Sequence, residues 1–328
     1  MKPFGELTER GQARRLQRLA AAALQQYALT VSRIRLIAVH TNCLFRIDTV
    51  DGAKYALRIC TPGEHTLADN LAEITWLTAL QRDTDLHVPT PIHNRNGSPI
   101  TMAEAAGVPE VRRCILFEWI PGRALDARLT VANYAKLGAI SAKLHQHGAL
   151  FQPPADFQPM RWNKPFYYPH EPVVIYAEKY RSFFPPQRMT IIEETLAHVK
   201  PLLARLNANT SAQHVIHGDL HMWNVHVHRG TLYLLDFEDL MIGSPLQDVA
   251  ITLYYGRNRA DYAALAAAFE KGYNTVLPWP ASSLYELETL IAARTLMFIN
   301  YVAYSSSQPL KQIEPMSDRL AAFLQKWK

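Results

Sequence analysis

Apolar residues recur at helical spacing at Leu16, Leu19, Ala20, Ala23, Leu24 and Tyr27, with Arg10, Arg14, Arg15 and Arg18 between them. That spacing predicts an amphipathic N-terminal helix with a basic, solvated face. The period then shortens. Ile34–His40, Cys43–Thr49 and Lys54–Cys60 are β-rich runs, divided by the turn pairs Thr41-Asn42 and Asp51-Gly52. A second helix is expected where Thr66 and Asp69 form a capping box, with Leu67, Leu71, Ile74 and Leu77 as its apolar stripe. Two more strand-like runs follow, His93–Met102 (broken by Asn96-Gly97) and Val111–Trp119.

Pro121-Gly122 punctuates this sheet, and the patterns beyond it are largely helical. Thr130 opens a helix with Tyr134, Leu137, Ile140 and Leu144 on one face, expected to end at Gly148. Residues 151–172 hold six prolines and read as a long loop. Helical periodicity resumes over 173–206, where Pro201 is expected to break or kink the last turns. Val215-Ile216, Val225–His228 and Leu232–Asp236 read as short strands, the last two joined by Arg229-Gly230. Helices are expected near 245–256, 258–276, 282–305 and 316–327. The class is therefore α+β, with a small antiparallel-sheet unit over 1–120 and a larger, mainly helical unit over 121–328.

With 328 residues, 48% of them hydrophobic and 19% charged, the chain can bury a sizeable core, which excludes a disordered segment. Cys43, Cys60 and Cys114 are odd in number and scattered, so they form neither a disulfide framework nor a zinc spacing. A reducing, cytoplasmic setting is the expectation. No apolar run approaches the roughly 18 residues of a membrane span, and no leader-like apolar segment opens the chain, so no membrane partner is expected. The formal charge of +5 comes without a lysine-rich tail or compact basic run, which argues against a nucleic-acid partner. Oligomeric state leaves no trace in the sequence.

Chemistry concentrates in His217-Gly218-Asp219-Leu220-His221-Met222-Trp223-Asn224, followed twelve residues after Asn224 by Asp236-Phe237-Glu238-Asp239. Asp219 and Asn224 on one tight loop can direct a carboxylate and an amide oxygen into the same space, and Asp236 adds a second carboxylate. Such hard oxygen donors suit Mg2+ shared with phosphate oxygens rather than a zinc cage. The other aspartate is then left to accept the proton of an attacking hydroxyl, the division of labour in kinase-type phosphoryl transfer. The spacing H-x-D-x-x-x-x-N followed by D-F matches the protein-kinase signature set.

His-Gly-Asp-Leu-His-x-x-Asn-Val, then Leu-Leu-Asp-Phe-Glu-Asp, Gly243 and Asp248, resembles the aminoglycoside phosphotransferase and choline kinase group of protein-kinase-like enzymes. Type II homoserine kinases and a bacterial stress-response protein kinase belong to the same broad group. The resemblance implies a protein-kinase-like bilobal fold and the cofactors ATP and Mg2+. It implies that Asp219 is the catalytic base, that Asn224 and Asp236 hold Mg2+, and that His217 and Asp248 brace the loop. His221 falls where protein kinases place a catalytic-loop lysine, so it either approaches the γ-phosphate or packs. Glu238 and Asp239 stand open between an outer contact to the metal and a contact to the acceptor. In the first unit, Arg58 occupies the place of the phosphate-binding lysine, with Glu73 as its ion-pair partner. Arginine there keeps the charge but changes the donor geometry. Without a G-x-G-x-x-G loop, Thr41 and Asn42 are expected to cover the phosphates. Leu116–Gly122 resembles the interlobe hinge, where Glu118 and Ile120 would bind adenine through their backbone and Phe117 would back the pocket.

The histidines at 214, 217, 221, 226 and 228 lack a neighbouring cysteine and are not read as a zinc site. The expected partner is a small-molecule hydroxyl acceptor, walled by aromatics of 151–185 (Trp162, Phe166, Tyr167, Tyr168, Tyr176, Tyr180) and by Trp279, Tyr285, Tyr301 and Tyr304. Such a stripe is more often core than ligand platform. From Arg259 onward six acids face seven bases, too few acids for a wall that would bind a polycation. Two alternatives stand beside this reading, a serine/threonine protein kinase of the stress-response type and a nucleotide-binding protein without turnover. Only eleven residues separate Asp236 from Asp248, which leaves no room for a long activation segment.

Overall fold

The structure is a computed structural model describing residues 2–39 and 41–328; His40, the last residue of the first expected strand, lies outside the described residues. The chain divides into two units, Met1–Gly122 with Tyr233–Glu238, and Arg123–Leu232 with Asp239–Lys328. The segment Tyr233–Glu238, which the sequence reading placed in the second unit, clusters with the first. Its Phe237 is wholly buried edge-on against Trp76, and Leu234 donates its backbone N–H to His87.

The first unit begins with α1 (Glu9–Leu24), capped by Thr8, whose hydroxyl accepts from the Gly11 backbone. A sheet follows, formed by β1 (Val31–Val39), β2 (Cys43–Thr49), β3 (Lys54–Ile59), β4 (Pro91–Ile92), β5 (Thr101–Ala103) and β6 (Arg112–Glu118). Its strand order is β1-β2-β3-β6-β4, with β5 also on β6, and every pairing is antiparallel. Strict alternation in β2 turns Cys43, Phe45 and Ile47 inward, where they meet Leu19, Ala20, Ala23 and Tyr27 in the core under α1. The run His93–Met102 is mostly turn rather than strand, because Asn94 accepts backbone N–H groups of Asn96 and Ser98 and closes a loop.

Between β3 and β4 lies α2 (Leu67–Asp83), which opens with the expected capping box of Thr66 and Asp69. Its buried face differs from the expected stripe. Leu67 and Leu71 are exposed, whereas Asn70, Glu73, Trp76, Leu77 and Leu80 are buried. Of the expected stripe, Ile74 and Leu77 are buried and Leu67 and Leu71 are not, so the buried face is shifted and brings the Glu73 carboxylate into the unit beside them.

The second unit contains β7 (Arg123–Ala124), α3 (Val131–Leu150), β8 (Met160–Arg161), α4 (Pro186–Ala208), β9 (His214–Ile216), β10 (Val225–His228), β11 (Thr231–Leu234, whose last two residues enter the first unit) and β12 (Met241–Gly243). Four helices complete it: α5 (Pro245–Gly256), α6 (Tyr262–Tyr273), α7 (Leu284–Ser305) and α8 (Pro309–Lys326). Two small sheets, β11-β10-β7 and β8-β12-β9, frame the loop between β9 and β10. The structure departs from four expectations here. Gly148 does not end α3; it lies within the helix, where a side chain would meet the Val215 carbonyl at 2.2 Å. Pro201 does not break α4, which continues to Ala208. Helical turns before α4 are limited to a 3-10 segment, Glu178–Phe183. At the C-terminus, α8 begins at Pro309, earlier than expected, and runs through Pro315.

Candidate active site

In the first unit, β3 presents Arg58 to Glu73 of α2. The guanidinium makes a two-pronged contact, Nη1 to Oε1 at 3.0 Å and Nη2 to Oε2, with Arg58 8% and Glu73 2% exposed by side chain. Arg58 and Glu73 thus form a buried ion pair. Burial works against its charge, but Glu73 and then Glu238 outweigh that and hold it firmly protonated. Glu238 also lies 3.3 Å from Arg58 and 3.8 Å from His65, and it accepts from Thr41 and from the Asn42 amide. Asn42 in turn accepts the Thr61 backbone N–H at 3.0 Å. The structure therefore places Thr41, Asn42 and Arg58 as donors around the single Glu238 carboxylate, with Glu73 held through Arg58. The sequence reading gave Glu238 no part in holding Arg58, because nothing in its position signals that contact.

Phe117 lies beneath the Arg58 guanidinium, 5.3 Å from it. Beyond it, Glu118, Trp119 and Ile120 line a cavity of about 290 Å³ with Val88, Thr90 and Tyr233. That volume is at the small end for ligand pockets. Asp236, in the same unit, adopts φ 62°, a left-handed conformation that aspartate tolerates better than most side chains.

In the second unit, the loop His217–Asn224 is fixed from below by Asp248 of α5. The wholly buried Asp248 carboxylate accepts the backbone N–H groups of His217 (3.2 Å) and Gly218 (2.9 Å) and contacts His145 Nε2 at 3.0 Å. Burial would raise its pKa, but the hydrogen bond and charge of His145, then His217 and the Gly218 amide, lower it. Gly218 is required: φ is +80°, and a Cβ would sit 2.0 Å from the Asp239 carbonyl.

Asp219 stands on this platform with four donors on its two oxygens. Oδ2 receives the Asn224 amide at 3.1 Å and faces His221 Nε2 at 3.1 Å. Oδ1 receives Arg294 Nη2 at 2.6 Å and the Tyr255 hydroxyl at 3.0 Å. Burial opposes ionisation, yet His221 and Arg294 prevail and hold the carboxyl down at about 2. His221 Nδ1 faces the backbone N–H groups of Trp223 and Asn224, so the ring is tied at both nitrogens and braces Asp219. Of the two roles open to it, the geometry of the second unit favours packing. The Asn224 side-chain nitrogen bonds the backbone and carboxylate oxygens of Asp219, which directs its carbonyl oxygen away from them.

Sequence reasoning missed Arg294 and Tyr255 as members of this group. Both are single polar residues in apolar helical patterns, α7 and α5, and nothing local marks them. Arg294 is 3% exposed by side chain; it also bonds the Tyr167 hydroxyl, and its guanidinium lies 5.0 Å from the Phe298 ring. Burial would lower its pKa, but Tyr167, Tyr255, Tyr168 and Asp219 keep it high. Of the expected aromatic walls, Trp162, Tyr167 and Tyr168 follow one another in ring contact beside it, whereas the half-buried Trp279 packs on Tyr273 and the half-buried Tyr285 on Trp327. Among the described residues there is no cluster of three or more histidine, cysteine or acidic groups able to hold a metal, and no helix is long and apolar enough to cross a membrane.

Solved structures share the fold over nearly the whole chain. An amicoumacin kinase in complex with AMP-PNP, Ca2+ and Ami superposes with a TM-score of 0.77 at 16% identity, covering 98% of this chain and 100% of that one. A microcompartment-associated aminopropanol kinase gives 0.75 at 20% identity, covering 94% and 95%. A spectinomycin phosphotransferase in complex with ADP and spectinomycin gives 0.66 at 14% identity, covering 94% and 98%. At these identities the likeness establishes a protein-kinase-like fold, as the sequence motifs implied. Comparison with curated protein sequences gives no significant match. The family model of the phosphotransferase enzymes (APH) matches residues 33–283, well over half of the chain, and the protein belongs to that family.

Proposed function

We propose that this phosphotransferase moves the γ-phosphate of ATP, with Mg2+, to a hydroxyl of a small molecule. The observation that carries the reading is Asp219, kept ionised on a rigid loop by His221 and Arg294 and reached by a hydroxyl, that of Tyr255, at 3.0 Å. A carboxylate so held can orient an attacking hydroxyl and take its proton as the new bond forms. The donor set fits a magnesium ion. Asn224 offers an amide oxygen and Asp236 a carboxylate, and Mg2+ is commonly held by one or two such groups with phosphate oxygens supplying the rest. Bound there, the ion would neutralise charge on the β- and γ-phosphates. Arg58, charged and aligned by Glu73, would bind the phosphates, Thr41 and Asn42 would cover them, and the cavity beside Glu118 and Ile120 would take the base. The small-molecule kinases that share the fold support a small acceptor over a protein. The formed Arg58–Glu73 pair argues against a nucleotide binder without turnover.

A screen of alcohols, amino alcohols, hydroxy acids and sugars by coupled ADP release tests the reading. Some acceptor should stimulate release at least 100-fold over the blank, and Asp219→Asn should lower that by about 10³-fold or more while nucleotide still binds. Phosphate transfer only to serine or threonine of a protein would replace the small acceptor with a protein one. Mg2+-dependent ATP binding with no turnover in either assay would overturn the enzyme reading.

A further inference from the structure

Asp219 has no lone pair to spare. Two carboxylate oxygens offer about four acceptor sites, and Asn224, His221, Tyr255 and Arg294 fill them. A reacting hydroxyl must therefore displace a donor. Asn224 and His221 belong to the loop itself and maintain its shape through Asp219 O and the Trp223 and Asn224 amides. The donors able to yield are Tyr255 and Arg294, from α5 and α7.

Arg294 cannot yield without compensation. It is buried, and among the described residues Asp219 is the carboxylate it bonds; its other polar contacts are the neutral Tyr167 and Tyr255 hydroxyls and Met297 Sδ at 3.5 Å. A buried guanidinium separated from its counter-charge is strongly unfavourable unless another anion arrives. Its Nε–H, moreover, has no hydrogen-bond partner, and neither has the fully buried Trp162 Nε1 in the same aromatic group. Two unmet donors beside a cation make an environment for an acceptor oxygen anion. The charge of Asp239 also acts on Tyr167 and Tyr168 of this group.

We propose that Arg294 selects an acceptor that carries a carboxylate beside its hydroxyl, the carboxylate taking over the guanidinium as the hydroxyl takes its place on Asp219. This rests on the phosphotransferase reading above and narrows its substrate class to short hydroxy acids. An amino alcohol would instead bring a second cation against Arg294.

Matched acceptors test it: 3-hydroxypropionate and 4-hydroxybutyrate, their primary amides, and the corresponding amino alcohols and diols, each assayed by coupled ADP release. In the unaltered enzyme at least one acid should exceed its amide by about 100-fold in kcat/KM, carried mainly by KM. In Arg294→Gln that ratio should collapse to within about threefold, because losing a donor on Asp219 slows both acceptors but the acid also loses its counter-charge and falls much further. A merely structural role for Arg294 would lower both acceptors together and leave the ratio intact, which would overturn the assignment. If Arg294→Gln does not fold, judged by its thermal transition and nucleotide binding, the acid-to-amide ratio of the unaltered enzyme decides alone. Equal use of acid and amide, or preference for amino alcohols, refutes the inference and leaves the phosphotransferase reading standing. Turnover with no acceptor of any charge refutes both.

Discussion

Asp248 is wholly buried, and its carboxylate contacts His145 Nε2 and accepts two backbone amides of the His217–Asn224 loop. Burial pushes its pKa up, but the His145 hydrogen bond and charge, with His217 and the Gly218 amide, carry it below the ordinary 3.8. A carboxyl lowered on folding stabilises the native state fully above the unfolded value and loses that contribution as pH falls through the folded one. Asp248→Asn should therefore cost stability at neutral pH, and the gap from the unaltered protein should hold down to about pH 5 and narrow only as pH drops below about 4. Urea midpoints at several pH values measure this; a gap that is constant or widens on acidification contradicts it. Asp248 was legible because backbone amides after His217 need an acceptor and the motif places one. Glu73 was legible only as a possible partner of Arg58, since a helical glutamate reads as solvated until its neighbours in space are known. Arg294 and Tyr255 were illegible, because the contact that matters joins residues 75 and 36 positions from Asp219.

Helices α3 and α6 meet backbone to backbone. A Cβ at Gly138 would lie 2.0 Å from the Phe269 carbonyl, and one at Gly272 would lie 1.8 Å from the Ala135 carbonyl. The reciprocal arrangement means that each helix uses its glycine to admit the other's carbonyl edge. Alanine raises intrinsic helix propensity by about 1 kcal/mol over glycine, but here the clash forces two main chains apart. Gly272→Ala should lose about 2–4 kcal/mol in denaturant unfolding, net of the propensity gain. Gly256→Ala in α5 is the contrasting case, since its nearest contact is the Tyr134 hydroxyl at 3.4 Å; it should be neutral within about 1 kcal/mol. Equal losses at the two sites would remove the close-approach explanation. Element positions were legible where end signals were chemical, as at Thr66 and Thr130, whose side chains cap α2 and α3. They misled where glycine or proline served packing instead. Gly148 accommodates the Val215 carbonyl, and Pro201 sits inside a helix that continues past it.

Across the whole molecule, the sequence conveyed the order of strands and helices because each hydrophobic period is local. It did not convey that six residues after β10 return to the first unit, because nothing about Tyr233–Glu238 in sequence distinguishes a strand that stays from one that crosses over. The return matters for autonomy. Residues 1–122 alone would leave Trp76 without Phe237, whose ring centroid lies 5.6 Å away and whose side chain is fully buried. They would also leave Arg58, Thr41, Asn42 and His65 without Glu238. Losing a buried phenylalanine costs about 3–5 kcal/mol, a large fraction of the roughly 5–15 kcal/mol that holds a typical domain folded. A fragment of residues 1–122 should therefore show no cooperative thermal transition. The same fragment extended through a flexible linker to residues 233–238 should regain one, and Phe237→Ala in that fusion should abolish it again. Circular dichroism melts of the three distinguish the outcomes. A cooperative transition in the bare fragment would mean that the sheet and α1–α2 suffice, and that the returning segment adds chemistry without adding fold.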